Sequence, residues 1–203
     1  MKTLLTSSAI ALLAASAALA GGPVPVQPAP EPAPPAPVVA DWSGFYAGGL
    51  GGFQTGDAIL NPGTPGALTF LAQPTTYGGF AGFNFQDGNL IYGAEVALQT
   101  GNARIGGIAV DFDFIADVRA RFGYAFEDVM VYAAGGVTYE QVTALGATVN
   151  PTGFNLGAGL ELNVTDDFFI GGEYVYRNVS ARWLGTPVDL NTHAVQVRAG
   201  IRF

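Results

Sequence analysis

His193 is the only histidine in the chain. A serine hydrolase needs Ser, His and an acid in mutual contact, and Ser180 and Glu173 lie within twenty residues of it. No nucleophile motif surrounds Ser180, so the plainer reading of His193 is a rim histidine at the start of a strand. As a haem ligand it lacks a Tyr or Met partner motif. The absence of cysteine removes a thiol nucleophile, disulfides and a lipid anchor on Cys. "GGLGG" (48–52) is not a phosphate loop, because no helix follows it. Its bare backbone instead leaves room on one side of a strand. "DFD" (111–113) could hold a divalent cation at a rim, but first reads as solvated charge. No catalytic residue, metal site or cofactor is expected.

The bulk properties narrow the class. The 203 residues carry a formal net charge of −8, which argues against a nucleic-acid partner. Charged residues are 12 %, against roughly 25 % in soluble domains. The mean hydropathy is +0.32. Yet beyond residue 20 no apolar run approaches the ~18 residues of a membrane helix. Such a chain must carry its apolar residues in alternation. Lys2 is the only lysine, so every other side-chain cation is Arg or His193.

Residues 1–20, "MKTLLTSSAIALLAASAALA", have a basic start, an apolar middle and an A-x-A end. They are read as a secretory signal cleaved after Ala20. Residues 21–41 are rich in proline and are read as a disordered periplasmic leader.

From 42 to 203 period two dominates. Eight segments show it: 42–53, 77–86, 90–99, 111–124, 129–141, 153–164, 168–178 and 194–203. Spacers alternate between tight turns (87–89, 125–128, 165–167) and long stretches (54–76, 100–110, 142–152, 179–193). An even strand count with short and long connections in turn is the layout of an all-β, eight-stranded antiparallel up-and-down transmembrane β-barrel. Ten residues tilted near 45° rise about 23 Å, close to the ~25 Å apolar band of such barrels. The alternative is a soluble barrel or sandwich with its apolar face inward. Two features favour the membrane. The polar faces are too sparsely charged to solubilise an exterior. Aromatics also gather at strand ends: Phe85, Tyr124, Phe126, Phe168 and Phe203 at one, Phe53, Tyr77, Phe112, Tyr139 and Tyr176 at the other.

The polar faces then define a lumen. Glu95, Arg119, Glu161, Glu173 and Arg198 arrive at similar height, with Arg121 and Arg177 on the same faces. Strand adjacency sets Glu95 beside Arg119 and Glu173 beside Arg198. The expectation is a bonded carboxylate–guanidinium layer that plugs the barrel at mid-height; the alternative is that these groups are hydrated and line a channel.

The pieces "WSGFYAGG", "GGFAGFNFQ", "YGAEVAL", "VRARFGYAFEDVMVYAAGGVTY", "NLGAGLELNVTDDFFIGGEYVY" and "AVQVRAGIRF" span nearly all of 42–203. In this order they resemble the small OmpA-like "porin family" surface antigens of alphaproteobacterial outer membranes. The resemblance implies an outer-membrane location, termini in the periplasm and a structural or surface-antigen role. An eight-stranded barrel is just wide enough for side chains to fill its interior, so little or no conductance is expected despite the family's name. A small nonspecific diffusion pore is the second reading; a haem-binding or lipid-hydrolysing barrel is the third. The resemblance also implies outer-membrane lipids and lipopolysaccharide as surroundings, and the barrel assembly machinery as a partner. Val195, Val197, Ala199, Ile201 and the terminal Phe203 are similar to the assembly signal that machinery reads. The sequence leaves the oligomeric state open.

Overall fold

The computed structural model describes residues 39–65, 68–72, 75–105 and 108–203. The expected signal peptide and most of the leader lie outside the described residues. Ten strands run in chain order: β1 (Gly44–Leu60), β2 (Leu68–Ala72), β3 (Thr75–Asp87), β4 (Leu90–Ile105), β5 (Ile108–Phe126), β6 (Val129–Ala144), β7 (Ala147–Val149), β8 (Thr152–Asn163), β9 (Phe168–Trp183) and β10 (Thr186–Arg202). β2 and β3 together make one stave against β1 and β4, as β7 and β8 do next to β6. The second break falls at Pro151, which has no N–H for the ladder; its carbonyl still accepts from Glu140 N at 2.9 Å. Every pairing is antiparallel, and β1 closes on β10 from Tyr46↔Arg202 to Leu60↔Val188. The result is a closed eight-stave barrel, as the alternation predicts.

The staves outrun the ten-residue spans read from the sequence. β5 has 19 residues and β10 has 17, so the wall rises about 40 Å against an apolar band of ~25 Å. Much of the expected long loops is strand. Two of them end in two-residue turns with both residues at positive φ, Leu145 and Gly146 (50° and 77°) and Leu184 and Gly185 (49° and 83°).

The outer wall is apolar in its lower part. Phe45, Val96, Val118, Leu156, Leu160 and Val197 are all exposed. Above a ring formed by Phe53, Tyr77, Phe114, Tyr139 and Phe154 it turns polar, with Thr55, Asp57, Asp111, Asp113, Gln141 and Ser180 outward. The inner wall does the reverse. Polar groups fill the middle, while Ala58, Val110, Phe112, Ile115, Val142, Val179 and Leu190 form an apolar cluster at the top. Phe112 therefore does not belong to the outer girdle. A register shift between Phe112 and Phe114 turns it inward, and Phe114 takes the outer position. A matching shift lies between Gln99 and Gly101 on β4. Bulges of this kind re-aim side chains without ending the ladder.

The lower end is stopped by a second apolar cluster that includes Trp42, Tyr46, Phe80, Ile91, Met130 and Phe169. Trp42 precedes β1 and folds inside, where its backbone N–H donates to Gln86 Oε1 at 2.6 Å and its ring lies 4.5 Å from the Arg202 guanidinium.

The face assignment makes a sharp stability prediction. Val197 is 71 % exposed at mid-band, so Val197→Arg should cost about 2–4 kcal/mol of folding free energy in bilayers, while Thr55→Arg above the band should cost near zero. Equilibrium unfolding from vesicles reads both. Equal cost at the two sites would refute the placement of the band.

Candidate functional site: the filled lumen

Seven charged positions singled out by strand counting all point inward. Six form one layer. Arg119 donates to Glu95 Oε1 through Nη2 (2.6 Å) and Nε (3.1 Å), and its Nη2 also reaches Glu173 Oε2 at 2.8 Å. Arg121 binds Glu95 Oε2 at 3.1 Å and Glu161 Oε1 at 2.8 Å. Arg198 donates to Glu95 Oε2 at 2.5 Å and to Glu173 Oε2 at 3.1 Å, and its Nε lies 3.1 Å from Glu161 Oε1. Three carboxylates meet three guanidinium groups, so the layer is neutral. Its side chains are only 0–2 % exposed. Glu95 is the hub, because all three arginines reach it.

The layer is held by backbone register and by rings. Glu95 and Arg119 are direct partners across β4 and β5. Glu173 and Arg198 are two rungs out of register across β9 and β10, which the long Arg stem spans. Tyr46 Oη donates to Glu95 Oε2 at 3.0 Å, and Tyr132 Oη accepts from Arg198 at 3.1 Å. Arg121 lies 3.9 Å from the Tyr132 ring centroid, and Arg198 lies 3.9 Å from that of Phe80. These rings fit because glycine stands opposite them. A Cβ on Gly159 would sit 2.7 Å from the Tyr132 ring, and one on Gly82 would strike the Tyr46 hydroxyl. The narrow lumen has room for large side chains only where a neighbour has none.

Arg177, the seventh, belongs to a second layer above. Its partner is Asp117, with Nη2 to Oδ2 at 2.7 Å. Thr138 and Asn155 donate to Asp117 Oδ1 at 2.6 and 3.3 Å. Gln54, Thr76, Gln99 and Gln196 extend the layer as a chain of amide and hydroxyl bonds. Glu140 sits higher on the inner face of β6, buried, and its Oε2 has no partner among the described residues. Asp117 and Glu140 both carry the inward parity of their strands, but the lumen positions read from the sequence do not include them.

The other proposed chemistry does not assemble. Glu173 is committed to arginine inside the barrel, while Ser180 and His193 face outward. Ser180 pairs with Asp189 and His193 with Tyr176, so they stand four rungs apart, about 13 Å along the strand. His193 Nδ1 instead lies 2.5 Å from Tyr174 Oη, at the border where the outer wall turns polar. Asp111 and Asp113 are exposed, and Asp113 accepts from Thr143 Oγ1 at 2.6 Å. Among the described residues no cluster of three metal-ligating groups occurs. Val195, Val197, Ile201 and Phe203 face outward along β10, with Ala199 half-buried on the same face.

Apolar outside, polar inside and closed by eight staves, the chain is a transmembrane barrel of the outer-membrane class. Residues 7–203 match the outer membrane protein beta-barrel domain family, and the chain belongs to it. It is 30 % identical to a 25 kDa outer-membrane immunogenic protein of Brucella canis, over 100 % of this chain and 99 % of that protein. Against a 22 kDa outer membrane protein of Rhizobium leguminosarum bv. viciae identity is 30 %, over 70 % of this chain and 66 % of the relative. Neisserial surface protein A, a solved structure, aligns with a TM-score of 0.49 at 14 % identity, over 79 % of this chain and 98 % of its own.

The Asp117–Arg177 pair shares no ion pair with the lower layer, so it suits a double-mutant cycle. Arg177→Met should cost about 3–5 kcal/mol by stranding a buried carboxylate, and adding Asp117→Asn should recover most of that loss. Coupling under about 1 kcal/mol would mark the pair as hydrated instead.

Proposed function

We propose that the chain is a structural, surface-exposed barrel of the outer membrane whose lumen is closed to ions. One observation carries this reading: the neutral three-Glu, three-Arg layer crosses the lumen with its charges bonded to one another and almost inaccessible to water. An ion could pass only by breaking several charge-assisted bonds in a low-dielectric interior. The outer wall supports outer-membrane lipid and lipopolysaccharide as its surroundings. The immunogenic Brucella relatives support a surface-antigen role. The separation of Ser180, His193 and Glu173 supports a role without catalysis. The outward apolar face ending in Phe203 supports recognition by the barrel assembly machinery.

Planar-bilayer recording tests the closed lumen. The wild type should show no steady conductance, and Glu95→Ala with Arg198→Ala should open stepwise currents. Steady conductance by the wild type would replace this reading with a diffusion pore.

Strand order puts the start of β1, the end of β10 and the three tight turns at one end of the barrel. In this reading that end is periplasmic. Arg182→Cys, near the opposite tip, should react with an impermeant maleimide in intact cells. Asp166→Cys should react only after the outer membrane is opened. The reverse labelling would invert the topology.

A further inference from the structure

Above the Asp117–Arg177 layer the lumen opens as an apolar cup. Its inner wall includes Ala58, Val110, Phe112, Val142, Val179 and Leu190, around a cavity of about 210 Å³. Ile115 and Glu140, direct partners across β5 and β6, lie on the inward face just beneath it. Trp183 stands at the rim beside the Leu184 and Gly185 turn. Its indole Nε1–H is buried and has no acceptor among the described residues. The bulge in β5 serves the cup. Without it Asp111 and Asp113 would turn inward and Phe112 outward.

Two requirements for an occupant follow. An apolar wall offers water in the cup few hydrogen bonds, so an apolar occupant is favoured there; a closed cavity of ~150 Å³ lined by Leu, Ile and Phe stays dry and takes up benzene. A buried N–H left without an acceptor is costly, so the occupant must bring an oxygen to the rim. Volume sets its length. At about 30 Å³ per water-sized group, 210 Å³ holds about seven such groups, to which a carboxyl carbon at the rim adds one.

We propose that the cup binds a single unbranched acyl chain of about eight carbons. Its tail lies against Phe112 and Val142, and its carboxyl oxygen accepts from Trp183 Nε1. Access is from the loop end, because the bonded layers close the floor. To make this bond the indole turns its Nε1–H toward the mouth, beside the exposed Leu184 and Gly185 turn, and the second carboxyl oxygen stays in water.

The test uses the full barrel refolded into vesicles of long-chain phosphatidylcholine, free of short-chain detergent. Radiolabelled octanoate is followed by equilibrium dialysis against protein-free vesicles. Tryptophan fluorescence gives a second readout, since the chain has only two tryptophans, Trp42 and Trp183. One octanoate should bind per chain, saturably. Trp183→Phe keeps the bulk and removes the donor, so it should weaken binding about three- to tenfold. Val142→Asp should abolish binding, and Ala58→Phe should do so by filling the cup without adding charge. Both are scored on barrels whose heat-dependent gel mobility shows a closed fold. Uptake that never exceeds that of protein-free vesicles would overturn the proposal. So would octanoate bound unchanged by a folded Ala58→Phe barrel. Octylamine bound as tightly as octanoate would overturn the Trp183 contact, since an ammonium offers no acceptor and would instead seek Glu140.

Discussion

The interior of an eight-stave barrel is just wide enough for side chains to fill it, and everything here follows from what must fill it. In the membrane the apolar residues are spent on the outer wall. The inner wall must then be polar, yet there is little room for water to solvate it. Charges in such a space are stable only when bonded to one another. The Glu95 hub and its three arginines meet that condition, with two further carboxylates making the layer neutral. Arginine is suited to it because one planar fork can address two carboxylates at once, as Arg121 does between Glu95 and Glu161. An ammonium would concentrate the same charge at a point and hold its hydration more strongly.

The same constraint accounts for the glycine. Each large inward ring needs an empty position opposite, and Gly82 and Gly159 supply it for Tyr46 and Tyr132. The two tyrosines are thus part of the ion layer. Their rings lie near guanidinium groups, and their hydroxyls bond to the charged groups. Below them the aromatic cluster around Phe169 and Trp42 separates the charges from water at the turn end. Burial of this kind raises the cost of breaking any one pair, because the orphaned partner has no solvent to turn to.

Much of this was legible in the sequence, for a physical reason. A β-strand sends successive side chains to opposite faces, so a half-apolar wall writes its period directly into the chain. Counting from the tight turns was enough to place Glu95 and Arg119 at one height. Two things were hidden. Aromatics that adjoin other apolar residues carry no parity signal: in Phe45-Tyr46 and Phe168-Phe169 one ring faces lipid and its neighbour fills the lumen. The upper walls were also misread as loops. Residues 54–60 and 186–193 still alternate, but with the apolar members inward, and their Thr, Asn, Asp and Gly content resembles a connection.

That inversion marks where the solvent changes. Below the upper ring the outside is lipid and the apolar side chains face out. Above it the outside is water, and the strand behaves as one of a soluble barrel, with apolar residues inward. On β10 the backbone parity is kept and only the residue types swap: Val195 and Val197 face out, Asn191 and Asp189 continue that face, and Leu190 faces in. On β5 the residue types would not have swapped in phase. Continued without interruption, its period would place Asp111 and Asp113 among the apolar side chains and Phe112 in water. The bulge between Phe112 and Phe114 restores the phase, and the shift between Gln99 and Gly101 lets the neighbouring strand follow it, with Thr100 Oγ1 bonded to the Phe112 carbonyl at 3.0 Å. A bulge leaves one residue out of the ladder, which the wall tolerates here because the alternative would bury two unpaired carboxylates. The irregularity in β5 is therefore placed by the boundary between lipid and water, and the apolar mouth of the barrel is its direct consequence.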